Sequence, residues 1–105
     1  MKNAEAVLSV KFQSSFSAEE LMTICSEDLE AFREVPGLIQ KYYLSEVSTG
    51  AISGIYIFED QAARKEFLNS ELASYIPVRY GVLPESLRVE QYDMSIVLND
   101  EFISI

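Results

Sequence analysis

Tyrosine is the residue type that gives this sequence most of its chemical possibilities. Six tyrosines stand among 105 residues, with no histidine, no tryptophan and a single cysteine. A tyrosine offers an apolar ring and one hydroxyl, which needs a partner when it is buried. Several such rings around a cavity would suit a flat phenolic ligand, which they could stack on, orient and partly ionise. The candidates for this site are Tyr43, Tyr56, Tyr75 and Tyr80.

The same residues have plainer interpretations. The tyrosines could be strand-edge and core residues, which their strand propensity favours. Lys41 could attract an anionic substrate, or its stem could cover apolar surface while its amine reaches water. Gly54 lies inside a predicted strand, where glycine marks a bulge or a close approach. Gly54 could therefore open a pocket floor, or let a helix or a second chain pack closely.

Several kinds of site are excluded or disfavoured by composition. The absence of histidine excludes histidine bases, histidine metal ligands and histidine-ligated haem. Cys25 falls on the apolar stripe of a predicted helix and is expected in the core. Metal-ligand spacing and a glycine-rich phosphate loop are both missing from the sequence. We therefore expect neither a metal nor a cofactor.

Charge and hydropathy limit the partners and the compartment. Eight basic and 17 acidic residues give a net charge of −9, which disfavours nucleic acid and anionic membrane surfaces. The sequence has no apolar run of the roughly 18 residues that a membrane helix needs, and no signal peptide is recognisable at its start. A lone cysteine fits a reducing compartment. A cytoplasmic protein is expected.

The elements that must position these residues follow from hydrophobic periodicity. Apolar residues alternate in four segments and recur at helical spacing in two others. Ser17 with Glu20 forms a capping box, and Asp60 can cap the second helix. The predicted elements are a strand at 5–12, a helix from Ser17 to Pro36-Gly37, strands at 38–46 and 51–58, a helix from Asp60 closed by Pro77, and a strand at 86–94.

This order of elements predicts the fold class. Strand, helix, strand, strand, helix, strand is the α+β ferredoxin-like βαββαβ plan, an antiparallel sheet with two helices on one face. We expect residues 1–105 to form one such domain. The tail, residues 95–105, is apolar enough to pair somewhere but has no clear period.

The third strand indicates how the protein associates. Ile52, Tyr56 and Phe58 point to one face, while Ala51, Ile55 and Ile57 point to the other. Two helices can cover only one face, and a bare apolar face invites association. We therefore predict a homodimer that packs sheet to sheet about a two-fold axis. The alternative is that the loop 77–85 or the C-terminal tail folds over the open face.

Three stretches also carry a family resemblance: PGLIQKYYLSE, GAISGIYIFED and the closing GV…VEQYDM. Over residues 36–94 their order and spacing resemble the YdhR-like mono-oxygenases of the dimeric α/β-barrel superfamily. The matching positions are Pro36, Gly37, Lys41, Tyr43, Gly54, Tyr56, Phe58, Asp60, Tyr92 and Asp93. Over residues 1–35 only the order of strand and helix agrees.

The resemblance implies a sheet-to-sheet dimer with a pocket between helices and sheet. It further implies oxygenation of a small aromatic compound with molecular oxygen and without metal, flavin or haem. Tyr43 and Tyr56 would then be catalytic, and the substrate-binding residues would be Lys41, Gly54, Phe58, Tyr75 and Tyr80.

The sequence also departs from its relatives in residues that matter for chemistry. Cofactor-free oxygenases of this superfamily tend to use Asn, Trp and Tyr, but this chain has no Trp, and no Asn within the matching stretches. Without histidine, the haem-degrading and cyclase activities of other relatives are disfavoured. Two alternatives to an enzyme remain: a non-catalytic binding module, or a structural dimer whose cavity is filled by its own side chains.

Overall fold

The chain forms a four-stranded antiparallel sheet with four helical segments on one side. The structure is a computed structural model that describes residues 4–98. The elements are β1 (Ala6–Phe12), α1 (Ala18–Glu27), α2 (Leu29–Arg33), β2 (Leu38–Ser45), β3 (Ile52–Phe58), α3 (Gln61–Leu68), α4 (Glu71–Arg79) and β4 (Arg88–Asp93). The sheet order is β2-β3-β1-β4. The α+β ferredoxin-like prediction is confirmed.

Strand register decides which side chains face the helices. Tyr56 of β3 lies opposite Leu8 of β1 and Lys41 of β2, and Gly54 lies opposite Tyr43. Because side chains alternate along a strand, these residues share the helix-covered face. A β-bulge between Leu38 and Gln40 inserts one extra residue in β2 and interrupts the alternation before Lys41.

The first helix begins as predicted but is broken once. The Ser17 hydroxyl accepts from the Glu20 amide and the Glu20 carboxylate accepts from the Ser17 amide, which completes the capping box. The helix then ends at Glu27 and restarts at Leu29, with Asp28 between the two segments. The prediction of one uninterrupted helix was wrong, because apolar spacing continues through the break and does not reveal it.

The second helix departs further from the prediction. Asp60 caps α3 by accepting from the Ala63 amide, as expected. The Ser70 hydroxyl then accepts from the Ala73 amide and starts α4. Pro77 does not close this helix but lies inside it, two residues before its end at Arg79. The fixed φ of proline suits a helix, although its ring removes one backbone hydrogen bond and crowds the carbonyl four residues earlier.

The predicted last strand, 86–94, is shorter in the structure. A 3₁₀ turn at Pro84–Ser86 precedes it, so β4 begins only at Arg88. The Ser86 hydroxyl accepts from the Gln13 amide and donates to the Leu83 carbonyl. Ser86 therefore ends the loop rather than beginning the strand.

The core lies between the helices and one face of the sheet. Phe58 and Leu8 are fully buried, and rings of Phe32, Tyr56 and Phe67 pack around them with centroids 5.1–6.2 Å apart. Tyr75 was expected on the apolar stripe of the second helix, but its side chain is 59% exposed. The stripe is instead continued by Phe67 and Ile76, which are buried.

The other face of the sheet carries apolar side chains without a helical cover. Leu44 of β2 is 48% exposed, Tyr92 of β4 is 52% exposed and Tyr42 is 38% exposed. Ile57 on the same face is buried. Within the described tail, Ile96 and Leu98 are largely exposed; residues 99–105 lie outside the described part. No helix within residues 4–98 has the length and hydropathy to cross a membrane.

Candidate functional site

Lys41 is the centre of the candidate site. Its amine turns inward from β2 and lies over three aromatic rings. The Nζ atom is 3.3 Å from the ring centroid of Phe32, 4.1 Å from that of Tyr43 and 4.6 Å from that of Tyr56. Ring faces attract a cation, so these contacts stabilise the charged amine. The amine does not extend into water as a surface lysine would.

The amine has no hydrogen-bond acceptor and no carboxylate counter-ion among residues 4–98. Burial disfavours the charged form and lowers the pKa of Lys41 to about 7; the electrostatic influence of Cys25 and Asp28 acts in the opposite direction. Both protonation states are therefore populated near neutral pH. As an ammonium Lys41 offers three unused donors, and as an amine it offers a lone pair.

The Tyr43 hydroxyl is the second polar group without a partner. It is buried and makes no hydrogen bond within the described residues. Burial raises its pKa to about 12, and Cys25 and Asp28 make smaller contributions in the same direction. The nearby Tyr80 hydroxyl lowers this pKa, although the two hydroxyls do not stand in hydrogen-bonding geometry. A buried hydroxyl without a partner costs stability. At neutral pH this group is therefore a neutral donor that a ligand could satisfy.

Tyr56 and Tyr80 complete the aromatic surroundings of the amine. The pKa of each is raised above the ordinary tyrosine value, in both cases mainly by burial. The Tyr80 hydroxyl donates to Asp28 Oδ2 at 3.1 Å. Asp28 also accepts from the Arg79 guanidinium, at 3.2 Å from Nε and 3.0 Å from Nη2. Tyr80 is therefore held in place by the break between the first two helices.

The space around Lys41 has two parts. Between helices and sheet a cavity of about 10 Å³ remains, bounded by Lys41, Tyr43, Gly54, Tyr56 and Tyr80 among others. This is room for about one water molecule. A cleft of about 260 Å³ adjoins it. Its walls come from α2 and β2: Leu29, Phe32, Arg33, Leu38, Ile39, Gln40, Lys41 and Tyr43. Lys41 and Tyr43 line both spaces.

Gly54 provides the room in which these side chains lie. A Cβ atom at this position would stand 3.1 Å from Tyr56 Cε1 and 3.6 Å from Lys41 Cε. The glycine therefore lets the Lys41 stem and the Tyr56 ring lie close against β3. Phe58 is two residues further along the same face, where its ring stacks on Tyr56 with centroids 6.3 Å apart. Phe58 is fully buried and lines neither space.

Five of the seven predicted site residues thus lie together, and two lie apart. Lys41, Tyr43, Gly54, Tyr56 and Tyr80 surround the small cavity, while Phe58 lies in the core. Tyr75 lines a different cleft of about 180 Å³, beside Arg79, and its hydroxyl donates to the Glu71 carboxylate at 3.1 Å.

Sequence reasoning missed two residues of this site. Phe32 provides the ring closest to the Lys41 amine, and Asp28 fixes Tyr80. Phe32 lies within the first predicted helix and Asp28 follows Glu27 there, and neither was a candidate site residue. No short sequence pattern links Asp28 to Arg79, which lies 51 positions later.

Cys25 is buried, as predicted, and the pKa of its thiol is raised by burial. Groups of three or more metal-ligating side chains do not occur within residues 4–98.

Comparison with protein families gives one match. The sequence model of a family described as "Putative mono-oxygenase ydhR" matches residues 7–95. A search of curated proteins found no match.

Several solved structures share this fold. A protein of unknown function from Nitrosomonas europaea, NE2512, superimposes with a TM-score of 0.74 at 14% identity, over 92% of this chain and 95% of that one. The ActVA-Orf6 monooxygenase of Streptomyces coelicolor, solved with nanaomycin D, gives 0.70 at 16% identity, over 91% and 92%. SnoaB, a cofactor-independent oxygenase from Streptomyces nogalater, gives 0.65 at 13%, over 92% and 97%.

At these identities the structures establish a common fold, while the family match rests on the sequence itself. Because that match extends over most of the chain, from β1 to the end of β4, the protein belongs to the family described as "Putative mono-oxygenase ydhR".

Proposed function

We propose that this protein is a cofactor-independent mono-oxygenase acting on a small phenolic compound, which lies in the cleft beside β2 and reaches Lys41. One observation carries the proposal. The Lys41 amine lies 4.1 Å from the ring centroid of Tyr43, walled by aromatic rings, and neither this amine nor the Tyr43 hydroxyl has a hydrogen-bond partner among residues 4–98. A phenolic oxygen would satisfy both groups, and its ring could pack against Phe32.

The chemistry that this arrangement suits begins with the phenolate. Phenolate is electron-rich and can react with molecular oxygen directly. With an anthrone, a ring CH₂ becomes a carbonyl, one oxygen atom enters the product and the other leaves as water. The substrate supplies all four electrons, so the reaction balances without a cofactor. The protein's task is to bind the anion away from water and direct donors at its charge.

Each residue then has a limited role. Lys41 pairs with the phenolate as an ammonium, and Tyr43 donates a hydrogen bond to the same oxygen. The pKa of Tyr43 and that of Tyr56 are both raised, so neither tyrosine is a good base at neutral pH. We therefore assign Tyr43 and Tyr56 to orienting the substrate through donors and ring contacts. Gly54 and Tyr80 shape the inner wall, and the positions of Phe58 and Tyr75 give them no contact with a ligand in this cleft.

A second candidate function is a binding module of the same fold without turnover. The observation that favours it is the inner cavity of about 10 Å³, which is too small for an aromatic ring. In this case a phenol would enter only the outer cleft, and oxygen would not reach a reactive carbon.

Oxygen consumption with a panel of hydroquinones and anthrones tests the proposal. We expect uptake by the native protein and a product whose mass increases by one oxygen atom and decreases by two hydrogens. Lys41→Met should reduce kcat/KM about 100-fold or more, because it removes the charge beside the phenolate. Tyr43→Phe should reduce it about tenfold or more. Tyr43→Phe removes a hydroxyl without a partner, so its fold should be retained.

Lys65→Met serves as the matched control, since Lys65 is exposed on α3 and is not one of the residues that line the cleft. Its activity should equal that of the native protein. Binding of a phenol without oxygen uptake from any compound would favour the binding module. Activity unchanged in both Lys41→Met and Tyr43→Phe would overturn the placement of the site.

We further propose that the protein acts as a cytoplasmic homodimer, joined through the open face of the sheet. Tyr42, Leu44 and Tyr92 expose apolar side chains on the face opposite the helices. Lys11 and Glu46 form an ion pair there at 2.9 Å, so the face also offers polar groups for registry. Exposed apolar patches of this kind mark interaction sites, and a second copy of the same face is the simplest cover.

A further inference from the structure

We propose that the Lys41 amine is a nucleophile that condenses reversibly with a small aromatic aldehyde or ketone bound in the cleft. The site would thus capture aromatic carbonyl compounds as imines, an activity separate from oxygenation. This inference rests on where the amine lies, on its lack of partners within residues 4–98 and on Tyr43, which lines the same cavity and cleft. It does not depend on the proposed mono-oxygenase reaction.

Within residues 4–98, no group accepts a hydrogen bond from the Lys41 amine. The other two lysines of this range differ: Lys11 is paired with the Glu46 carboxylate at 2.9 Å, and Lys65 is exposed to water. The Lys41 amine contacts ring faces, which supply no acceptor. A carbonyl carbon approaching from the cleft would therefore meet a nitrogen that has no hydrogen bond to give up.

Several charged and titratable groups surround the amine. Cys25 of α1 and Asp28 between the helices influence it electrostatically, Arg33 of α2 lines the cleft, and the hydroxyl-bearing rings of Tyr43, Tyr56 and Tyr80 face it. Asp28 is already neutralised by Arg79. Burial outweighs the remaining attraction, so a substantial fraction of Lys41 is the neutral, nucleophilic amine near pH 7.

Tyr43, which lines the same cavity as Lys41, supplies a proton donor. The amine lone pair attacks the carbonyl carbon and forms the C–N bond, and the carbonyl π electrons move to oxygen. The Tyr43 hydroxyl, whose raised pKa keeps it protonated, can donate to this oxygen. The nitrogen loses its protons as the C=N bond forms and the oxygen leaves as water. Amine and carbonyl thus give imine and water, with no oxidant or reductant consumed.

The ring walls determine the class of carbonyl compound. Leu29, Phe32 and Tyr43 line the cleft, which has a volume of about 260 Å³. A single aromatic ring with a carbonyl substituent can lie against such walls, whereas a small aliphatic aldehyde gains little from them. We therefore expect preference for an aromatic compound.

Reductive trapping tests this inference directly. The native protein is incubated at pH 7 under nitrogen with 4-hydroxybenzaldehyde and sodium cyanoborohydride, and modified lysines are located by peptide mass mapping. We expect Lys41 to be labelled at least about tenfold faster than Lys11, which is paired with Glu46, and Lys65, which is exposed to water. Tyr43→Phe should slow labelling of Lys41 while leaving the other lysines unchanged.

Two further labelling experiments test the preference for an aromatic aldehyde and the location of the reaction in the cleft. Acetaldehyde should label Lys41 with a smaller advantage over Lys11 and Lys65 than the aromatic aldehyde does, and an excess of 4-methylphenol should protect Lys41 from the aromatic aldehyde. Lys41 labelled no faster than Lys11 and Lys65 would overturn the inference. Equal selectivity for Lys41 with both aldehydes would overturn the aromatic class. Because oxygen is excluded, these outcomes are independent of whether the protein is a mono-oxygenase.

Discussion

Replacing Lys41 by methionine is expected to raise the free energy of unfolding by about 1–4 kcal/mol at pH 6 and to abolish binding of phenols in the cleft. The native amine must be removed from water without a counter-ion among the described residues. Methionine has a similar length and no charge, so it can lie among the same rings without that cost. The variant would gain stability by losing function, a common relation at active sites.

The lowered pKa of Lys41 also predicts how the free energy of unfolding changes with pH. The pKa of Lys41 is about 7 in the folded protein and 10.5 in a free side chain, so between these values the unfolded state binds more protons. Native stability should therefore rise by about 1–2 kcal/mol from pH 6 to pH 8.5. The absence of histidine removes the usual competing titration in this window. Chemical denaturation at several pH values measures the effect.

Lys65→Met is the control for this series, and it should retain the native slope with pH. Lys41→Met should lose most of that slope. If ring contacts stabilise the ammonium more than burial destabilises it, Lys41→Met would instead be less stable than the native protein, and its stability relative to native would not depend on pH. That outcome would contradict the account of Lys41.

Tyr42→Glu is expected to weaken the proposed homodimer about 100-fold or more, because it places a charge on an apolar interface. Tyr42 lies on the open face of β2, opposite Ile55 of β3. The protein carries a net charge of −9, so added negative charge would also increase repulsion between subunits. Sedimentation velocity across a concentration series measures the change.

The matched control is Met22→Glu, since Met22 is an exposed apolar residue on α1, on the helical side of the sheet. It adds the same charge and should leave the dimer intact. Raising the salt concentration should tighten the native dimer by screening the acidic subunits. A native protein that sediments as a monomer at micromolar concentration would refute the proposed interface.

The fold could be predicted because its signals are local. Alternation defined the strands, and Ser17 and Asp60 marked helix starts through hydrogen bonds to nearby amides. The breaks at Asp28 and Ser70 could not be predicted, because apolar residues keep helical spacing across both. Pro77 was predicted to end the second helix, because proline often stands at a helix end. The prediction was wrong, since the helix contains Pro77 near its last turn.

The site was predictable in residue type and less so in arrangement. Tyr43, Tyr56 and Tyr80 lie around the Lys41 amine, and their role in binding a ligand stays a prediction. The bulge before Gln40 sets the face of Lys41 through strand register, which no short sequence pattern encodes. Phe32 joins the site only through tertiary packing. Tyr75 carries the phenolic side chain that the hypothesis requires, but it lies on the side of its helix where its ring is exposed.

The central claim is that Lys41 is a buried amine that titrates near neutrality and receives the phenolic ligand. An NMR titration of ¹³Cε-labelled lysines, with and without 4-methylphenol, tests both parts in one experiment. We expect the Lys41 signal to titrate with a pKa of about 7 and to be the lysine signal most strongly shifted by the phenol. A Lys41 signal that titrates at the pKa of 10.5 of a free side chain and does not respond to the phenol would contradict the claim.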